Sequence, residues 1–168
     1  MNMRRAVLLV LLALQLAGRA AEPVSIRDVF RAMPDSLLPY LTANNRLDFI
    51  DFIDSGMKAE VRNSLGGQSL MTALTADSLS ITLNEQSRAD MVLLSVEGEP
   101  VDSCQQVVCL LTTVGCSPMP QETLVDFYSL GWRKLTDMPR LTTASRRRIA
   151  CAKNLTVVNW YRDIINKW

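Results

Sequence analysis

The feature that most constrains the fold is a series of short apolar segments, separated by turn residues, in the middle of the chain. In the first segment Leu79, Ile81 and Leu83 alternate with polar residues, as in a strand with one buried face. Further strands are predicted over residues 90–96, 106–113 and 123–130, with turns or loops at residues 84–88, 98–100 and 115–120. Consecutive strands with short connections favour an antiparallel meander, in which each strand pairs with its neighbour in sequence.

Helical periodicity dominates the sequence that precedes these strands. Ser25 is typical of a helix N-cap, and Asp28 stands at the N3 position of a capping-box variant. The apolar residues of the segment 26–33 recur on one helical face, and Pro34 ends the pattern. We therefore predict a first, short helix that buries this face.

A second helix is predicted after a turn-rich connection. Residues 33–41 are apolar and rich in proline, which indicates a short 3₁₀ or helical turn against the core. The second helix is predicted over residues 46–63, with Asn44 or Asn45 as its cap. The pair Gly66-Gly67 then marks a turn into the region of strands.

The C-terminal part of the chain has a less definite pattern. Residues 142–153 have a composition compatible with a helix, whereas residues 155–161 are compatible with either a helix or a strand. The fold class predicted is therefore α+β, with two N-terminal helices packed on an antiparallel β-meander and a helical or mixed C-terminal tail. No repeat or linker interrupts residues 21–168, which we interpret as a single domain.

The N-terminal segment predicts export. Arg4 and Arg5 precede a 12-residue apolar run, and Gly18 and Ala20 occupy the −3 and −1 positions of a cleavage site. Twelve residues form a helix of about 18 Å, shorter than the hydrocarbon core of about 30 Å. We therefore predict a signal peptide over residues 1–20, no transmembrane segment, and a periplasmic or cell-surface location.

Charge and histidine content exclude several functions. The chain has no histidine, which removes the usual general base, the Ser-His and Cys-His pairs and the commonest zinc ligand. Without the predicted signal peptide, 15 basic residues face 17 acidic ones, a net charge of −2 that argues against nucleic-acid binding. Residues 21–102 carry −7 and residues 103–168 carry +5, so the halves either attract each other within the fold or form a bipolar surface for partners or self-association.

The even number of cysteines in an exported chain predicts disulfide bonds. Cys104 and Cys109 lie about 17 Å apart on an extended strand, too far for a mutual disulfide. The two pairings left open are Cys109–Cys116 with Cys104–Cys151, and Cys104–Cys116 with Cys109–Cys151. A third alternative is that Cys109 is an unpaired residue of the core.

Two clusters of like charge are candidate surface features. Asp48, Asp51 and Asp54 recur every third residue of the second predicted helix and form an acidic stripe. This stripe is either the solvated face of the helix or a set of carboxylates for cation binding or acid–base chemistry.

The second cluster is a basic patch of three consecutive arginines, Arg146, Arg147 and Arg148. It is interpreted as a solvated helix face, a contact for anions or acidic surfaces, or a partner of the acidic N-terminal half.

Four blocks of sequence form a distinctive combination: residues 33–42, 45–57 and 63–67, together with Asp126-Phe127-Tyr128 ahead of Trp132. This combination resembles DUF3256, a family of exported proteins of unknown function from Bacteroidales. The resemblance covers about residues 25–135; it implies a Gram-negative envelope setting and supports an α+β fold. It implies no activity, cofactor or catalytic residue.

These observations together predict an exported binding or interaction protein that is not an enzyme and has no cofactor. Its expected partner is an envelope protein or glycan, with the oligomeric state left open. One alternative is an envelope glycan or peptide hydrolase that uses acidic residues such as Asp48, Asp51 or Asp126. Another is an inhibitor-like or chaperone-like module that pairs with its partner through the edge of a sheet.

Overall fold

The structure was obtained as a computed structural model that describes residues 24–115 and 122–151, with only the backbone of Ala150 and Cys151 described. Within these ranges the chain forms three α-helices and a six-stranded sheet. The helices are α1 (Ile26–Arg31), α2 (Ala43–Asp54) and α3 (Thr143–Cys151), with a 3₁₀ turn at Asp35–Leu37. The strands are β1 (Glu60–Arg62), β2 (Gln68–Leu74), β3 (Ser78–Asn84), β4 (Ser87–Ser95), β5 (Gln106–Val114) and β6 (Glu122–Tyr128).

The sheet is the predicted antiparallel meander. Its order is β1-β2-β3-β4-β5-β6, so each strand pairs with its neighbour in sequence. The α+β class and the positions of β3 to β6 agree with the sequence prediction. Strands β1 and β2 were not predicted. Strand β1 has only three residues, too few to show an alternating pattern. Strand β2 contains a bulge between Met71 and Ala73 that disturbs its alternation.

Helix α1 begins where the sequence predicted, but its cap is simpler. The Ser25 hydroxyl accepts a hydrogen bond from the N–H of Arg27, as an N-cap residue does. Asp28 pairs with Arg31 on the helix surface instead of completing a capping box. At its other end the helix stops at Arg31, three residues before Pro34.

Helix α2 is shorter than predicted and has a different cap. Thr42, rather than Asn44 or Asn45, is the N-cap: the N–H of Asn45 donates to the Thr42 hydroxyl, and the Asn45 side chain accepts from the Thr42 N–H. At the other end Gly56 has a φ of +68°, and the N–H of Met57 donates to the carbonyl of Phe52. This glycine motif ends the helix at Asp54 rather than at residue 63.

The sheet has a core on each face. Helices α1 and α2 cover one face, here called the helix side, which buries residues that include Phe30, Phe49, Ile81, Met91, Leu110 and Tyr128. The opposite face, here called the outer side, buries a smaller cluster against α3 that includes Leu94, Val107, Cys109, Phe127, Leu141 and Ile149. Strand β5 supplies buried residues to both clusters, as its apolar sequence predicted.

Two ion pairs connect the acidic N-terminal half with the basic C-terminal half. Arg148 of α3 lies 2.5 Å from Asp77, and Arg133 lies 2.6 Å from Asp102. The attraction between halves that the charge pattern suggested therefore operates, at these two places, within one chain. Hydrogen bonds between Ser145 and both backbone groups of Ser95 attach α3 to β4.

Some predictions fall outside the described residues. They are the signal peptide at residues 1–20, Cys116, and the choice between helix and strand for residues 155–161. Of the helices that are described, none has the length and apolar character needed to cross a bilayer.

Candidate functional site

Within the described part of the chain, strand β6 forms one edge of the sheet, and half of this edge is unpaired. The N–H of Leu135 donates to the carbonyl of Phe127 across the edge, so the backbone groups of Phe127 point away from β5. By the two-residue repeat of a strand, the N–H and C=O groups of Thr123 and Val125 point the same way. No backbone group in residues 24–115 or 122–151 bonds to these outward groups of Thr123 and Val125.

The second half of the β6 edge is closed by the chain itself. Lys134 forms a bridge with Tyr128, flanked by a hydrogen bond from the N–H of Ser129 to the carbonyl of Arg133. Residues 133–135, here called the closing segment, therefore act as a short additional strand. They limit the open edge to the first half of β6.

A strained turn places the closing segment. Trp132 has a φ of +66°, which is uncommon for a bulky residue, and its N–H donates to the carbonyl of Ser129. Its indole Nε1 donates to the carbonyl of Val29 at 2.9 Å, and its ring packs against Tyr128 at a centroid distance of 5.5 Å. Burial of the ring between α1 and β6 offsets the strain of the turn.

An ion pair connects the closing segment with the loop between β4 and β5. Arg133 donates to both carboxylate oxygens of Asp102, at 2.6 Å and 3.3 Å. Hydrogen bonds from Arg133 and Ser129 lower the pKa of Asp102 below its usual value, so the carboxylate stays ionised near neutral pH. Asp102 and Ser103 themselves have positive φ angles of 48° and 66°.

A second ion pair lies on the helix side of the same edge. Lys134 is 2.7 Å from Asp126, and this carboxylate raises the pKa of the lysine. Burial raises the pKa of the neighbouring Tyr128, and the negative charge of Asp126 raises it further. Near neutral pH this corner therefore contains a paired ammonium and carboxylate beside a neutral phenol.

Exposed aliphatic side chains lie beside the open half of the edge. Leu124 is 58% exposed and Val114 is 53% exposed, on the helix side. Val114 is opposite Glu122 and Thr112 is opposite Leu124, which makes Leu124 and Val114 diagonal neighbours on one face. On the outer side, the hydroxyls of Thr113 and Thr123 hydrogen-bond at 2.9 Å.

The other edge of the sheet is protected. Strand β1 has only three residues, and the side chain of Asn45 donates from Nδ2 to the carbonyl of Arg62. Helix α2 packs against this strand. Short length and coverage are the usual means by which proteins block unwanted pairing at an edge, so the open half of β6 is the more accessible of the two edges.

Comparison with known proteins places the chain in a family. A family profile described as "Protein of unknown function (DUF3256)" matches residues 20–163. The chain belongs to the DUF3256 family. A search of curated proteins finds no significant match to this DUF3256 chain.

One solved structure similar to this DUF3256 protein is a domain of an uncharacterized protein from Porphyromonas gingivalis W83. The two share 26% sequence identity with a TM-score of 0.52. The similarity covers 68% of this chain and 59% of that chain, so this protein spans less than two thirds of the length of its structural relative.

The sequence blocks that resemble DUF3256 divide into scaffold and candidate site. Asp35 and Arg46 connect the first two blocks, and the N–H of Ser64 donates to the carbonyl of Tyr40 to connect the third. These three blocks hold the N-terminal helices on the sheet. The last block, Asp126-Phe127-Tyr128 with Trp132, forms the boundary between the open and closed halves of the β6 edge.

The acidic stripe lies apart from this edge. Asp48, Asp51 and Asp54 are all exposed on α2, and Asp54 pairs with Arg27 of α1 at 2.6 Å. The described residues hold no group of three or more His, Cys, Asp or Glu side chains arranged to bind a metal ion. The stripe therefore has the geometry of a solvated helix face.

The basic patch does not form one continuous surface. Arg146 is partly buried and donates from Nε to the carbonyl of Leu141, while Arg147 is exposed. Arg148 pairs with Asp77, and this hydrogen bond is the main cause of the lowered pKa of Asp77. Arg148 thus helps to attach α3 to the turn between β2 and β3, whereas Arg146 bonds to the segment just before α3.

The predicted disulfide bonds are not found at the cysteines whose side chains are described. Cys104 and Cys109 are both free thiols, whereas both predicted pairings require them to be bonded. Cys109 is completely buried on the outer side of β5, and burial raises its pKa to about 12. It is the unpaired core residue of the third alternative. Cys116 and the side chain of Cys151 lie outside the described part of the chain.

The residues of the open edge were not identified from the sequence. Thr123, Leu124 and Val125 read simply as part of an apolar strand, and Arg133 and Lys134 follow it as ordinary surface residues. Edge position depends on which strand comes last in the sheet and on what covers it. One sequence feature could have indicated where the edge is covered. The Leu130-Gly131 turn before Trp132 is typical of a chain that folds back on the strand it has just completed.

Proposed function

We propose that this DUF3256 protein is an exported, non-enzymatic binding protein that captures an extended segment of an envelope protein by strand addition to β6. The observation that carries the proposal is the outward direction of the backbone groups of Thr123 and Val125, which are unpaired among the described residues. An extended partner segment satisfies such groups through main-chain hydrogen bonds.

The energetics of the edge support binding of moderate affinity. A net contribution of about 1 kcal/mol for each hydrogen bond is typical, so backbone pairing alone gives weak binding. Leu124 adds an apolar contact, because a partner side chain that lies on the helix side of the added strand is directly beside it. The closing segment stops the partner at Val125, which fixes where the added strand ends.

The arrangement of acidic residues favours binding over hydrolysis. A glycoside hydrolase needs two carboxylic groups about 5–10 Å apart that flank one substrate bond. Asp48 and Asp51 are exposed on a helix surface, and Asp126 is held in an ion pair with Lys134. The acidic residues named as examples for the hydrolase alternative are therefore poorly arranged for that chemistry.

Export is the second part of the proposal and rests on the sequence of residues 1–20. Cell fractionation of a C-terminally tagged chain is expected to recover a shortened protein outside the cytoplasm. Deletion of residues 2–17 is expected to leave the protein in the cytoplasm. Recovery of full-length, tagged protein from the cytoplasm of cells that express the intact chain contradicts export.

The edge is tested with a matched pair of proline variants. Thr123→Pro removes an outward N–H while leaving the ladder to β5, a position where edge strands tolerate proline. The control, Thr143→Pro, changes the same residue type at the first position of α3, where proline is also tolerated. Circular dichroism and thermal melting establish that both variants fold.

The measurement is cross-linking in envelope extract, followed by mass spectrometry of the peptides joined to β6. We expect the wild type and Thr143→Pro to cross-link the same partner segment, and Thr123→Pro to lose it. Equal cross-linking of that segment by folded Thr123→Pro contradicts strand addition at this edge.

A further inference from the structure

The helix side of the open edge has a distinct pattern of charge. Glu122, Leu124 and Asp126 alternate along β6 and therefore lie on the same face. Asp126 is neutralised by Lys134 at 2.7 Å, whereas Glu122 is exposed and has no ion-pair partner among the described residues. A partner strand on this side thus meets an unpaired carboxylate next to an exposed leucine.

We propose that the captured segment carries a lysine or arginine two residues away from an aliphatic residue. This inference rests on the proposed function and specifies its ligand. Residues two apart on an added strand lie on one face, so the aliphatic side chain packs on Leu124 while the basic side chain lies beside Glu122. Opposite charges across paired strands stabilise the pairing, and like charges destabilise it.

The same charges disfavour a second copy of this chain as the occupant. Two β6 edges related by a two-fold axis pair antiparallel, because a two-fold axis reverses the direction of the strand. When such a pair is centred on Leu124, Glu122 of each copy lies opposite Asp126 of the other. Asp126 of the other copy is already paired with its own Lys134, so this register offers Glu122 no free cation. A basic segment from another protein supplies one.

Short blocked peptides test the inference directly. The probes are Thr-Lys-Thr-Val-Thr and its reversed order, Thr-Val-Thr-Lys-Thr, so that the strand direction does not decide the result. In two matched peptides glutamate replaces the lysine. Binding is measured from the shifts of the amide signals of Thr123 and Val125 during titration at low ionic strength, where charge pairs are least screened.

For the wild type we expect the better lysine peptide to bind about threefold more tightly than its glutamate counterpart. The Glu122→Lys variant is expected to reverse this preference. The control variant Glu85→Lys changes an exposed glutamate in the turn between β3 and β4 and is expected to keep the wild-type preference.

The possible failures of the two proposals are distinguishable. If the lysine and glutamate peptides bind the wild type equally, and Thr123→Pro binds neither, the proposed preference for a basic residue is overturned and strand addition stands. If no peptide shifts the Thr123 and Val125 amides of the wild type, both proposals are overturned. Analytical ultracentrifugation tests the remaining alternative. If the wild type is a dimer and Thr123→Pro abolishes the dimer, a second copy is the occupant, and the proposed preference for a basic residue is overturned as well.

Discussion

Arg46 and Asp35 form an ion pair across the start of α2, with 2.7 Å between Arg46 Nη1 and Asp35 Oδ1. The guanidinium is buried, with only 3% of the side chain exposed, and it also donates to the carbonyl of Leu41. Its Nε is buried without a hydrogen-bond partner among the described residues. The pair joins the 3₁₀ turn to α2, so the loss of either charge is expected to weaken the contact between these two elements.

Asp35→Asn is expected to destabilise the fold more than Arg46→Met. Removal of the carboxylate leaves a buried cation without its anion, whereas methionine replaces the buried charge with an apolar side chain of similar length. Because Asp35 is 61% exposed and solvent screens it, we expect Asp35→Asn to lower the free energy of unfolding by about 1–2 kcal/mol. Urea denaturation measures the change. Asp28→Asn, which breaks an exposed pair with Arg31, is the control and is expected to cost less than about 0.5 kcal/mol.

Asn63→Ala is expected to destabilise the β1–β2 hairpin strongly. The buried Asn63 side chain donates to Ser69 and to the carbonyl of Leu83, and it accepts from the N–H groups of Leu65 and Gly67. Alanine leaves these partners unsatisfied, at a cost of about 2–3 kcal/mol in unfolding free energy. The exposed residue Asn44 offers a control, and Asn44→Ala is expected to change stability by less than about 0.5 kcal/mol. A similar loss in both variants contradicts the role assigned to Asn63.

Cys109 is expected to be unreactive toward thiol reagents in the folded protein at pH 8. Its pKa is raised to about 12 by burial, so the nucleophilic thiolate is scarce and inaccessible. A folded-state pKa above the ordinary thiol pKa of 9.0 contributes stability at pH values below 9, and this stability is lost as the pH rises from 9 toward 12. Labelling followed by peptide mass spectrometry should modify Cys109 only after unfolding. Cys109→Ala should remove the additional alkaline loss of stability.

The ion pair between Asp77 and Arg148 is expected to make the attachment of α3 sensitive to acid. The pKa of Asp77 is lowered in the folded state, mainly by its hydrogen bond with Arg148. The stability that it contributes is therefore complete above the ordinary pKa of 3.8 and is lost as the pH falls through the lowered pKa. Both side chains are more than 40% exposed, so the effect is below about 1 kcal/mol.

The variant Asp77→Asn and the wild type should accordingly differ in stability at pH 6 and converge near pH 2. Chemical denaturation across this range gives the comparison. Arg147→Ala, a change at the exposed neighbouring arginine, should leave the pH dependence unchanged. A difference between Asp77→Asn and the wild type that persists undiminished at pH 2 contradicts this assignment.

Local sequence patterns predicted much of the fold and little of the candidate site. Alternation identified β3, and the apolar composition of β5 identified a strand buried on both faces. The end of α2 was misjudged because Gly56, which stops the helix in a left-handed conformation, lies inside a run compatible with a longer helix. That stop also created room for the unpredicted strand β1.

The open edge, by contrast, arises from contacts distant in sequence. Its extent is set by Trp132, which turns the chain back onto the second half of β6, and by Arg133, which reaches Asp102, 31 residues earlier, in the loop between β4 and β5. Spacing and hydropathy carry no information about such contacts. The cysteine count likewise suggested disulfide bonds, although Cys109 is buried as an apolar residue of β5.

The hydrogen bond from the Trp132 indole to the Val29 carbonyl has a consequence for the order of folding. Strands that pair in sequence order allow hairpins to form one after another over short loops, which favours rapid assembly of the sheet. Helix α1, in contrast, gains its contact with Trp132 only across 103 residues of chain. The core around α1 therefore cannot be completed until residue 132 has reached its place beside the sheet. Among the described elements, α1 comes first in the sequence but is among the last to reach its final packing.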